Sequence, residues 1–104
     1  MPTLEIVSAA ADEAEAATDW YEHELPGLGW PFREALNAGL ELLEEGWVSG
    51  SPMPGRLGRK GVRRLGLRRF PFDIVFLRTS RRIIVLAFAH HACRPGYWRA
   101  RLQR

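Results

Sequence analysis

The spacing of apolar residues changes period along this chain. Thr3 to Val7 alternates polar and apolar and predicts a short first strand. From Ser8, placed as an N-cap, Ala10, Ala14, Ala17, Tyr21 and Leu25 recur at steps of three and four, with Asp12 and Glu13 in the expected first turn. That spacing predicts a helix, stopped by Pro26 and Gly27. A second helix is predicted to begin near Leu28 to Pro31, with Phe32, Leu36, Leu40, Leu43 and Trp47 as its apolar stripe and Gly46 suited to its end. Gly39 inside it costs about 1 kcal/mol against alanine. The short connection predicts an antiparallel helical hairpin. VSGSPMPGRLGRKG, Val48 to Gly61, is rich in glycine and proline and predicts a loop. Beyond it the period becomes two: VRRLGLRRF, FDIVFL and RIIVLAFAH predict three strands in an antiparallel meander. The predicted class is α+β, ordered β-α-α-β-β-β, an antiparallel sheet packed against an N-terminal helical hairpin with a short C-terminal segment.

A chain of 104 residues suits one domain, spanning residues 1–104, that buries about 65% of its unfolded surface. No apolar run approaches the roughly 20 residues of a membrane span, and the first twenty residues turn acidic where a signal peptide would carry its apolar core. A cytoplasmic protein without membrane contact is expected. The single cysteine, Cys93, excludes an internal disulfide, and one cysteine with three histidines falls short of a zinc spacing. Neither a structural metal nor a cofactor is expected.

Charge changes the picture more than composition does. The net charge of +3 hides a split: residues 1–55 hold eleven of the twelve acids against one base, Arg33, a balance of −10, whereas residues 56–104 hold fourteen bases against Asp73 alone, a balance of +13. Such a basic half offers a surface to phosphate backbones or to an acidic protein. The alternative is that the two halves face each other as surface ion pairs, each worth little.

Strand alternation then sorts the basic side chains. Arg64 and Arg68 share a face with Val62, and Arg63 and Arg69 share the other with Leu65 and Leu67, which mark the helix-covered side. The same alternation sends His90 and His91 to opposite sides, so at most one serves a site. Arg94-Pro95-Gly96 turns the chain, and Tyr97, Trp98, Arg99 and Arg101 follow. An aromatic pair among arginines suits stacking on unpaired bases with phosphate contacts. It also suits a latch in which Trp98 packs on the sheet or a helix, the reading favoured for Trp98, while Tyr97 is left open to line a groove. Cys93 has no defined partner set and reads as a bystander.

The order of elements, Trp20-Tyr21 on the first helix, the run LRRFPF from Leu67 to Phe72, and the ending AHHACRPGYW together resemble the RelE/ParE superfamily, small basic toxins of bacterial type II toxin-antitoxin systems, often called plasmid stabilization proteins. The resemblance covers essentially the whole chain. It implies a toxin inhibiting growth, held inactive by a cognate acidic antitoxin in a hetero-oligomer. RelE-like members cut messenger RNA on the ribosome; ParE-like members poison DNA gyrase. For the nuclease branch the resemblance implies metal-free attack of a ribose 2′-OH on the neighbouring phosphate, with Arg68, His90, Arg94 and Tyr97 as candidate catalytic residues. Arg63, Arg64, Arg69, Trp98, Arg99 and Arg101 are the candidate partner contacts. Cys93 stands where many relatives with this ending carry the first of two arginines, and the loop before Arg63 offers only Lys60 where nuclease members carry several lysines. Both departures favour a ParE-like gyrase inhibitor, with an RNase or a non-enzymatic nucleic-acid-binding module as alternatives.

Overall fold

The computed structural model describes residues 2–102. Its elements are β1 (Thr3–Ile6), α1 (Ser8–Glu24), α2 (Gly29–Glu45), β2 (Ser51–Pro52), α3 (Gly55–Arg59), β3 (Val62–Gly66), β4 (Phe72–Arg78), β5 (Arg82–His90) and a 3₁₀ helix (Arg99–Leu102). The expected α+β architecture is present, with the helical hairpin on one face of the sheet. The strands lie in the order β1-β5-β4-β3-β2. Consecutive strands from β2 to β5 pair antiparallel, but β1 runs parallel to β5, so the sheet is mixed at that edge. The parallel pairing is open to β1 because the two helices, not a tight turn, follow it.

The hairpin packs by small residues and aromatic rings. Ala10 and Ala14 are buried, which lets α1 lie close to β5, and α2 buries Phe32, Leu36 and Leu43. Tyr21 and Phe32 gather Phe70 and Phe72 at ring-centroid distances of 5.0 to 6.3 Å. Glu22 of α1 ties the helices together at their turn, accepting hydrogen bonds from the Gly27 and Gly29 amides at 2.9 and 3.1 Å. This carboxylate serves the start of α2, where no local side chain caps it.

Several local expectations are corrected. Ser8 is the first helical residue; Val7 holds the cap position, no side chain caps it, and the first turn carries no acid. Trp47, expected on the α2 stripe, is 74% exposed, because Gly46 adopts φ 82° and turns the chain off the helix. The predicted loop from Val48 to Gly61 contains β2 and α3. The strand predicted through Phe70 ends at Gly66: the Leu67 amide bonds back to the Phe72 carbonyl at 2.9 Å, and Arg69 takes a positive φ of 70° in the turn so closed.

The far face of the sheet is partly roofed. Trp98 is 2% exposed, and Leu57, Met53 and Leu102 pack against the core beside it. Between Val75 and Phe76 the partners on β5 jump from Ala87 to Val85, so Leu86 is an extra residue and the strand bulges there. The pairing of β1 ends just before that bulge, leaving the outer edge of β5 open beyond Val85.

Candidate functional site: a basic trough and its latch

The C-terminal segment does not seal the far face; it leaves a trough of about 520 Å³ lined by Arg64, Asp73, His91, Arg94 and Tyr97, with Val75 and Ala89 of the sheet beneath. Asp73 and Val75 alternate with the helix-facing Phe72 and Ile74, and this parity puts the carboxylate in the trough. Across the sheet it meets His91, whose Nε2 lies 3.0 Å from Asp73 Oδ1. With Nε2–H donating to the carboxylate, Nδ1 of a neutral imidazole is the nitrogen left to accept a proton. Arg64 and Arg94 are exposed, and neither guanidinium is bonded to a carboxylate among the described residues. The arrangement combines an oriented imidazole with two cations around a concave surface, which suits an anionic ligand.

One wall of the trough is fixed by Glu13 of α1. Its carboxylate accepts from the Tyr97 hydroxyl at 2.6 Å, from both terminal nitrogens of Arg101 at 3.0 and 3.1 Å, and from the Phe88 amide at 3.1 Å. Arg101 also donates to the Leu86 carbonyl at 2.8 Å. The pair therefore satisfies the edge of β5 that β1 no longer reaches. Its side chains are 24% and 22% exposed, so the interaction is only partly screened. Burial, and then the hydrogen bond to Glu13, raise the Tyr97 hydroxyl above the ordinary tyrosine value and keep it a donor. Arg101 is likewise raised, chiefly by its hydrogen bond to Glu13.

The residues singled out in the sequence are distributed unevenly over this geometry. Arg64, His90, Arg94, Tyr97 and Trp98 border the trough. Arg68 does not share the strand face foreseen for it, since it and Arg69 sit in the turn after β3, both exposed. Arg63 lies on the helix-covered side, where its guanidinium donates to the Ser49 and Gly50 carbonyls at 2.6 and 3.0 Å. The two histidines do not part fully, since both border the trough; His90 also sets its ring edge-on to Phe72 at 5.0 Å and joins Ala17, Trp20 and Tyr21 around a small slot beside α1. His90 Nδ1 accepts from the Ala92 amide at 2.9 Å. His91 is thus the histidine bonded within the trough. Trp98, named as a partner contact, is 2% exposed and packs into the core at the border of the trough. Arg101 is engaged by Glu13, and Arg99 is exposed beside Leu57 and Lys60. Asp73 and Glu13 escaped sequence reasoning as site residues. For Asp73 a signal existed, since it is the single acid among fourteen bases; for Glu13 none did, because its partners lie 75 to 88 positions away. Among the described residues no three His, Cys, Asp or Glu side chains converge in a metal-holding group, and no helix is long and apolar enough to cross a membrane.

No protein-family model and no curated protein matches the sequence. Among solved structures, one described as the chromosomal ParDE toxin-antitoxin system from P. aeruginosa is similar in fold, with a TM-score of 0.72 and 24% sequence identity, covering 86% of this chain and 96% of that one. The likeness extends over nearly the whole of that chain, and it is a likeness of fold.

Proposed function

We propose that this chain is the toxin of a type II toxin-antitoxin pair, neutralised by a cognate acidic antitoxin, and that it acts as the ParE-like branch does, by poisoning DNA gyrase in the cytoplasm. The observation that carries the reading is the fold shared with the P. aeruginosa ParDE system over 86% of this chain. Two further features support it. The basic half is not neutralised internally, as only Glu5–Arg82 and Glu13–Arg101 join an arginine to a carboxylate among the described residues. The strand face and C-terminal segment that hold those cations also border a concavity of about 520 Å³, and the positive field they carry favours approach of an acidic partner.

The Asp73–His91 pair favours a second reading, the RelE-like ribosome-dependent endonuclease. There His91 Nδ1 would take the 2′-OH proton while Asp73 holds Nε2–H, and the freed oxygen would attack the adjacent phosphate as the P–O5′ bond breaks. This would leave a 2′,3′-cyclic phosphate and a 5′-oxygen that takes a proton from solvent, with Arg64 and Arg94 balancing the added negative charge. In this version His91 and Arg64 take the roles first assigned to His90 and Arg68. Arg94 keeps its role, and Tyr97 contributes as a wall whose hydroxyl Glu13 already occupies.

Expression in a bacterial host tests the main reading. Growth should arrest, co-expression of the adjacent small acidic reading frame should relieve the arrest, and double-strand breaks with a DNA damage response should accumulate. Rapid cleavage of translated messages without breaks would transfer the protein to the second reading, and normal growth in a competent host would overturn both.

A further inference from the structure

On the helix-covered side, far from the trough, a groove of about 380 Å³ opens between the end of α2 and the strands β4 and β5. Its floor is Leu43, Phe76 and Ile83, each 1 to 2% exposed, so the groove reaches the core itself. Val48, half-buried, and Ser49 form one wall. Arg63 braces that wall by its hydrogen bonds to the Ser49 and Gly50 carbonyls, and Gly46, in its left-handed conformation, leaves the mouth unobstructed. Trp47, 74% exposed, and Leu42, 40% exposed, add apolar surface at the same end of α2, where Trp47 Nε1 donates to the Glu45 carboxylate at 2.9 Å.

The charges of the lining have one sign. Arg63 and Arg78 contribute to it and no carboxylate does. The Arg78 side chain makes no hydrogen bond or ion pair among the described residues, and neither does that of Arg81 in the following turn. An apolar floor with a cationic rim selects a chain segment that places a bulky apolar side chain beside carboxylates; a nucleic acid would find only two cations there, and the Phe76 ring, 1% exposed, is too deeply buried to stack on a base. The trough differs in being of mixed character and crossed by the Asp73–His91 pair.

From this we infer that the groove at the end of α2 seats an apolar anchor residue of the antitoxin, flanked by acidic residues that pair with Arg78, while the trough on the far face remains a separate surface. The inference rests on the toxin-antitoxin reading. Anchor residues in apolar pockets dominate protein interfaces, and rim charges then set orientation.

The test uses the full chain and the product of the adjacent acidic reading frame, with affinities measured by titration calorimetry. Arg78→Glu reverses the rim, and Ser49→Phe, at an exposed position of the wall, fills the groove; each should weaken binding at least about tenfold while melting near wild type. Arg56→Glu, the same charge change on exposed α3, should shift affinity less than about threefold, separating a local seat from overall electrostatics. Wild-type affinity in both groove variants would overturn the proposal and leave the toxin-antitoxin reading standing, as would an Arg56→Glu loss equal to that of Arg78→Glu. Absence of binding by the wild-type chain would remove that reading, and the antitoxin seat with it.

Discussion

Glu13 is the residue on which the C-terminal segment depends. It sits on α1 yet accepts hydrogen bonds from Tyr97, Arg101 and the Phe88 amide, so its removal would strand a partly buried guanidinium and a backbone donor together. Leaving such groups unsatisfied costs on the order of 2 kcal/mol. Glu13→Ala should therefore lower the melting temperature by about 10 °C and expose the segment from Arg94 onward to limited proteolysis; a variant melting with wild type would show that Trp98 holds the segment alone. Tyr97 adds a pH dependence of known sign. Its folded value lies above the ordinary 10.0, so the neutral phenol is favoured by folding. That contribution is fully present below pH of about 10 and is lost as pH rises toward the higher folded value. Between about pH 9 and about pH 11.5 the wild type should lose more thermal stability than Tyr97→Phe, a difference readable by calorimetric scans of both proteins. His91 separates the two functional readings. His91→Ala should leave growth arrest within about twofold if gyrase is the target, whereas loss of a general base from a nuclease would reduce message cleavage by about 10² to 10⁴.

Between α2 and the sheet the decisive position is Gly39. It is buried, and a Cβ there would stand 2.9 Å from Ile74 Cδ1 and 3.4 Å from Leu67 Cδ2. The helix approaches β3 and β4 as closely as it does because that side chain is missing. Gly39→Leu should overpack the interface and cost about 1 to 3 kcal/mol despite the better helix propensity of leucine, checked by chemical denaturation. A Gly39→Leu variant as stable as wild type would mean that α2 can lift from the sheet without loss. Sequence periodicity found both helices, the three long strands and the hairpin, since each buries a face of the expected period. It counted Gly39 only as a helix defect, because the reason for that glycine lies in Ile74, 35 positions away in the chain. The parallel pairing of β1 with β5 was similarly invisible, as nothing local to Thr3–Ile6 encodes its partner. The trough was half legible: alternation put Arg64 on the far face, but it did not foresee that His90 and His91 both border the trough, where the strand ends and the chain turns. Arg68 was misplaced because strand composition persists through Phe70 although the hydrogen-bonded ladder stops at Gly66.

The charge split becomes a spatial one when the chain folds. Ten of the eleven acids of the first half lie on α1 and α2, whereas β3, β4, β5 and the segments around them hold nearly all the bases. Mutual neutralisation, the bland explanation of the split, does not describe the molecule, because only Glu5–Arg82 and Glu13–Arg101 bind an arginine to a carboxylate among the described residues. Most of the remaining cations among the described residues, Arg64, Arg68, Arg69, Arg81 and Arg94 among them, are exposed and carry a positive field beyond the surface. A field of that kind acts on encounter more than on the docked complex, and it is screened over about 10 Å at 0.1 M salt. Association with the proposed acidic antitoxin should consequently slow by at least about tenfold between roughly 0.05 and 0.5 M salt, while dissociation, governed on that proposal by the groove at the end of α2, should change much less. Stopped-flow mixing using the emission of the exposed tryptophans Trp20, Trp30 and Trp47 can follow both rates. If the association rate stayed flat over that range, the unpaired arginines would have no part in steering, and the affinity would have to come from the apolar groove alone.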